Sequence, residues 1–130
     1  MNTKVEYLYR DADNYKENNE VIVSGEYTED QKRAILKSLE ESDGRGGYFI
    51  PEQIGLEIHR PGDEITDADH CDCELYEYDF YLTDKEPTDD RSITELTQDF
   101  IKVGRDGWDA AKYAPENYPF GIASILKNIM

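Results

Sequence analysis

The chain has 130 residues, with 30 acidic against 14 basic side chains and a formal net charge of −16. A field of that sign repels nucleic acid and anionic lipid and attracts basic proteins and cations. The length fits one domain, residues 1–130, burying roughly two-thirds of its unfolded surface.

Val5-Glu6-Tyr7-Leu8-Tyr9 alternates, with Val5, Tyr7 and Tyr9 on one face, and predicts a strand. Asp11 to Asn19 is rich in Asp and Asn and reads as a polar connection. A second strand over 20–25 then makes an antiparallel hairpin. Thr28-Glu29-Asp30-Gln31 has the form of a capping box. Ala34, Ile35 and Leu39 follow at helical spacing, which predicts a helix over 28–42, stopped by Gly44, Gly46 and Gly47. Tyr48-Phe49-Ile50 is a short strand, and Pro51 to Leu56 one helical turn opened by proline.

Pro61 to Cys71 is polar and irregular. From Cys73 to Leu82 alternation returns, but its apolar side changes partway, which points to a bulge or a two-sided strand. Asp84 to Arg91 has loop composition. Ser92-Ile93-Thr94-Glu95 repeats the capping-box pattern, and Ile93, Leu96, Phe100 and Ile101 continue it as a helix that Gly104 to Gly107 should interrupt. Trp108 to Ala114 adds a short turn, and residues 119–130 predict a last helix, opened by Pro119 with Ile122, Ile125, Leu126 and Ile129 as its apolar stripe. The expected fold is α+β: a small, mostly antiparallel sheet of three or four strands packed against two or three helices.

The core is lean. Leu, Ile, Val and Phe total 27 residues, just above the roughly 20% level at which a highly charged chain is suspected of disorder. Ten tyrosines shift that balance, because each buries a large ring while its hydroxyl finds a partner. No apolar run approaches the roughly 20 residues of a membrane-crossing helix, and the first residues lack the apolar stretch of a secretory signal. Cys71 and Cys73, one residue apart, make no disulfide framework. A cytoplasmic protein with reduced thiols is expected.

The charge is lopsided. Glu57 to Asp99 holds fifteen carboxylates against Arg60, Lys85 and Arg91, and residues 57–92 read as an acidic, loop-rich segment. Three i, i+2 pairs stand out: Asp67 with Asp69, Asp72 with Glu74, and Glu77 with Asp79. A row of carboxylates can imitate the phosphates of DNA and occupy a basic groove, although on a regular strand these pairs do not all share one face. These six residues are the candidate contacts to a basic protein partner. The plain alternative is that the charge only keeps a lean-core protein soluble.

Asp67 to Glu74 also gathers carboxylates, His70 and two thiols in eight residues. Asp67, Asp69, His70 and Asp72 are candidate ligands for a cation, and Cys71, Cys73, His59 and His70 for zinc. The spacing fails the EF-hand pattern, with Cys71 and Tyr78 where oxygen ligands belong, and Cys-x-Cys lacks a second pair. Tyr76, Tyr78 and Tyr81, with Tyr7, Tyr9 and Tyr48, are aromatics interleaved with acids that suit a protein interface or simple sheet packing.

Catalysis has little to stand on. A nucleophile needs an oriented base, and His70 and Cys71 are sequence neighbours that point apart on a strand. Gly44-Arg45-Gly46-Gly47 leads into a strand and is no phosphate cradle. No catalytic residue and no cofactor are expected.

Tyr9-Arg10-Asp11-Ala12-Asp13-Asn14-Tyr15-Lys16 matches the pattern Y-R-D-x-x-N-Y-K. With Phe49-Ile50-Pro51-Glu52 and Ile54-Gly55-Leu56, it resembles the first half of a loose group of small bacterial proteins of no known activity. That resemblance implies a bacterial or phage origin and assigns no residue a role. In overall character the chain is also similar to acidic immunity proteins and phage inhibitors.

Overall fold

The computed structural model describes residues 1–62 and 64–115. The expected last helix, 119–130, lies outside them. The architecture is α+β. One antiparallel sheet is built from β1 (Asn2–Arg10), β2 (Lys16–Val23), β3 (Gly46–Phe49), β4 (Cys73–Tyr76) and β5 (Phe80–Thr83). The helices are α1 (Glu29–Ser38), α2 (Ile93–Asp106) and the short α3 (Ala110–Tyr113). The order is β2-β1-β4-β3, with β5 also on β1.

β1 is the spine of the sheet. Its alternation places Thr3, Val5, Tyr7 and Tyr9 on the buried face. β2 pairs with it from Thr3–Val23 to Arg10–Lys16. The second strand therefore begins earlier than composition suggested, and Lys16–Asn19 belong to the ladder. A tight turn makes this possible: Asn14 takes a positive φ of 69°, which Asn tolerates, and the Asp11 carboxylate accepts from the Asp13 and Tyr15 amides.

The capping box at Thr28 forms as expected, with both reciprocal bonds to Gln31. α1 stops at Ser38, short of the expected 42, because Glu40 pairs with Tyr48 instead. The loosened turn is closed by hydroxyls, Ser38 donating to the Ile35 carbonyl and Ser42 to that of Leu36. Pro51–Ile54 is a 3-10 turn with proline at its start.

α2 also begins on its capping box, Ser92 with Glu95. It runs through Gly104 to Asp106, where the sequence had suggested a break. Gly104 marks a close approach: a Cβ there would stand 2.6 Å from the Ser38 carbonyl oxygen. Ile35, Leu36, Leu96 and Phe100 bury against the sheet, Phe100 meeting Phe49 at 5.2 Å between ring centres. Among the described residues no helix is long and apolar enough to cross a membrane.

The change of apolar side after Cys73 has a specific cause. β4 and β5 lie along the same edge of β1, Leu8 facing Glu74 and Val5 facing Phe80. Between them Glu77–Asp79 forms a 3-10 turn of three residues. An odd insertion reverses which residues face inward, since strand side chains alternate. Cys73 and Leu75 are buried before it, and Phe80 after it.

Candidate functional site

The acidic segment is held to the fold by polar side chains of the buried sheet face. The Tyr7 hydroxyl donates to the Glu57 carbonyl at 2.7 Å. Asn19 donates to the His59 carbonyl and accepts from its amide. Tyr9 donates to the Asp69 carboxylate, which also accepts from the Thr66 amide at 2.8 Å. Arg60 lies over the Tyr9 ring, 5.2 Å from its centre, with its Nε 3.8 Å from Asp69. Burial and the Asp69 bond push the Tyr9 hydroxyl well above the ordinary tyrosine range.

The six candidate contact residues do not form one exposed row. In each i, i+2 pair one member is drawn inward by a donor. Asp67 is exposed, but Asp69, 5% exposed, serves Tyr9 and Thr66. Glu77 is exposed, but Asp79 accepts from the Tyr76 amide at 2.8 Å. Glu74, 7% exposed, is bonded to Arg10 Nε at 2.8 Å and to the Tyr76 hydroxyl at 2.6 Å. Farther along, Arg91 takes up Asp89 and Asp99. Basic and hydroxyl partners scattered through the sequence thus divide the belt into local clusters.

The cation-ligand set does not converge either. Among the described residues, no group of three or more His, Cys, Asp or Glu is placed to hold a metal ion. Cys71 and Cys73 are buried free thiols. Burial pushes Cys71 up to about 12 and raises Cys73 further still. Neither is a ready nucleophile or ligand, because only the thiolate reacts.

What does converge is a cleft of about 320 Å³ lined by Arg10, Tyr48, His70, Asp72 and Glu74. Strand register builds it. Leu8, Glu74 and Tyr48 stand side by side across β1, β4 and β3 on the sheet face away from the helices. Arg10 comes from the end of β1, and the loop entering β4 adds His70 and Asp72. The adjoining rim is aromatic: Tyr76 stacks on Tyr78, ring centres 5.5 Å apart and planes 16° off parallel. Tyr76 also crosses Gly46, where a Cβ would be 2.3 Å from its ring. Glycine in β3 is therefore what lets this ring lie down on the sheet.

His70 is fully engaged by main chain. Its Nδ1 accepts from the Asp72 amide at 3.1 Å, so the proton sits on Nε2, which donates to the Arg10 carbonyl at 2.6 Å. The ring fastens the loop to β1 and has no nitrogen left for proton transfer. Glu74 is committed to Arg10 and Tyr76, as above. Asp72 is different. Its Oδ1 is buried and has no hydrogen-bond partner among the described residues, and its Oδ2 is 4.0 Å from His70 Nδ1. Burial first, with Glu41 adding to it and His70 opposing, raises its carboxyl above the ordinary range. The same cause, helped by Asp72 and Glu41, raises Glu40.

Sequence reasoning named His70, Asp72 and Glu74, and Tyr48 as one of six interface tyrosines, but missed Arg10. Its signal was present, since Arg10 ends the alternation of β1. Only cross-strand register joins Arg10 and Tyr48 to the loop.

No family model matches this chain, and neither do any curated protein or solved structure.

Proposed function

We propose that the protein is a non-enzymatic binding module that engages a basic protein through the cleft of Arg10, Tyr48, His70, Asp72 and Glu74. The observation that carries this reading is the Asp72 carboxylate, sealed on one side without a partner and opening on the other into a cleft walled by a tyrosine. A carboxylate held partly out of water with no cation bonded to it is costly, and a cationic N–H group arriving at its open oxygen offsets part of that cost. The whole-molecule charge of −16 attracts such a partner from a distance and speeds its arrival at low salt. The stacked tyrosines beside the cleft provide the kind of ring that anchors interfaces.

Two features speak against catalysis at this place. His70 has both nitrogens bonded to backbone, and the nearest thiols are buried with raised proton affinity. An oriented nucleophile and base are therefore missing from the cleft.

The test is calorimetric titration of the protein with a short, amino-terminally acetylated basic peptide, at low and at physiological salt. Asp72→Asn should weaken binding about tenfold, the equivalent of roughly 1.4 kcal/mol. Asp84→Asn removes the same charge from an exposed loop position and should change affinity less than twofold, as a screened, distant charge does. Equal effects from the two variants would refute the cleft as the contact site.

A further inference from the structure

We infer that the cleft is selective for an arginine side chain over a lysine. This rests on the reading above and names the group that would fill the site. The open acceptor in the cleft is the Asp72 carboxylate, whose side chain is 30% exposed, because Glu74 is already bonded on both oxygens. Beside it stands the Tyr48 ring, 40% exposed and forming the cleft wall. A guanidinium is planar, weakly hydrated and forked. It can lie against an aromatic face while donating an N–H group to the open oxygen of a carboxylate. An ammonium is a compact, strongly hydrated point charge that gains less from either.

The same chain combines these groups once inside its own fold, where Arg60 lies over the Tyr9 ring with its Nε 3.8 Å from Asp69. At the cleft the carboxylate and the tyrosine are present and the cation is to come from the partner. Like-charge repulsion at −16 disfavours a second copy of this chain as the donor, which leaves a basic polypeptide as the occupant.

The experiment compares two acetylated, amidated pentapeptides, Gly-Gly-Arg-Gly-Gly and Gly-Gly-Lys-Gly-Gly, titrated into the intact protein while amide and tyrosine ring resonances are followed. The arginine peptide should bind about five- to tenfold more tightly, the scale of one partly desolvated cation–π contact. Its shifts should centre on Tyr48 and the Asp72 amide. Tyr48→Leu should erase that preference, weakening the arginine peptide more than the lysine peptide, and Tyr48→Phe, which keeps the ring, should retain it. Equal affinities, or a preference that survives Tyr48→Leu, would overturn the arginine assignment while leaving the basic-partner reading standing. Absence of binding by either peptide would overturn both. Comparing the two peptides on the unmodified protein keeps the test decisive even if a Tyr48 variant folds poorly.

Discussion

The two faces of the sheet carry the same residue types to opposite ends. On the helix side, Tyr7 and Tyr9 are sealed among Phe49, Phe100 and the strands, and their hydroxyls hold the 57–72 segment in place through Glu57 and Asp69. On the other side, Tyr48, Tyr78 and Tyr81 are 40%, 67% and 40% exposed, set among Glu6, Glu20, Glu74 and Asp79. Glu6 even stands directly opposite Glu20 in the ladder, a like-charge pairing that weakens a sheet. Buried tyrosine here is a structural fastener. Exposed tyrosine, on a face where Glu6 and Glu20 repel one another, is what the proposed partner surface would contain.

That contrast can be broken by stability measurements. Phe100→Ala, on the packed side, should cost about 3–5 kcal/mol by chemical denaturation, as large-to-small core changes do. Tyr9→Phe should cost about 1–3 kcal/mol, since Asp69 loses a donor in a buried site and the His70 amide loses its acceptor. Ser92→Ala, which removes the cap of α2, should cost about 1 kcal/mol. Tyr78→Ala, on the open side, should cost less than about 1 kcal/mol despite the lost ring stack. Should Tyr78→Ala prove as damaging as Tyr9→Phe, the two faces would not differ in the way argued.

A subtler probe uses acid. The Asp72 carboxyl holds its proton more tightly in the folded chain than in the unfolded one, because burial penalises its charge. A raised folded value means stability that is present below the ordinary carboxyl range and lost as pH rises through it. At neutral pH the ionised Asp72 is thus a burden on the fold. Asp72→Asn should raise the melting temperature at pH 7. That advantage should shrink as pH falls into the carboxylate range, where Asp72 itself becomes neutral. Asp89 runs the other way: Arg91 holds it below its usual range, so Asp89→Asn should be destabilising at pH 7 and progressively less so in acid.

Local signals in the sequence were sound where one stretch of chain decides the outcome. Both capping boxes formed, and the inward face of Val5, Tyr7 and Tyr9 was legible from alternation alone. So was the break after Cys73, because the swap of apolar side is itself the trace of the inserted turn. Signals failed where a distant residue decides. Gly104 reads as a helix stop until Ser38 is found against it, and Glu40 reads as helix until Tyr48 pairs with it. The acidic belt was the largest such case. Charge counted along the chain could not reveal that Arg10, 64 residues from Glu74, or Tyr9, 60 from Asp69, would take individual carboxylates out of it. The cleft was half visible for the same reason, its loop residues by clustering and its strand residues only by register.

The three-residue turn at Glu77–Asp79 has a consequence for how this protein can vary. It lies outside the ladder: Val5 stands opposite Phe80 with three residues more than the pairing needs. A residue added there lengthens the connection and leaves Phe80 facing the core, whereas one added between Phe80 and Leu82 would turn every later side chain of β5 to the other face. Length changes should therefore be tolerated in the turn and rejected in the strand beside it, a difference that no hydropathy profile would disclose.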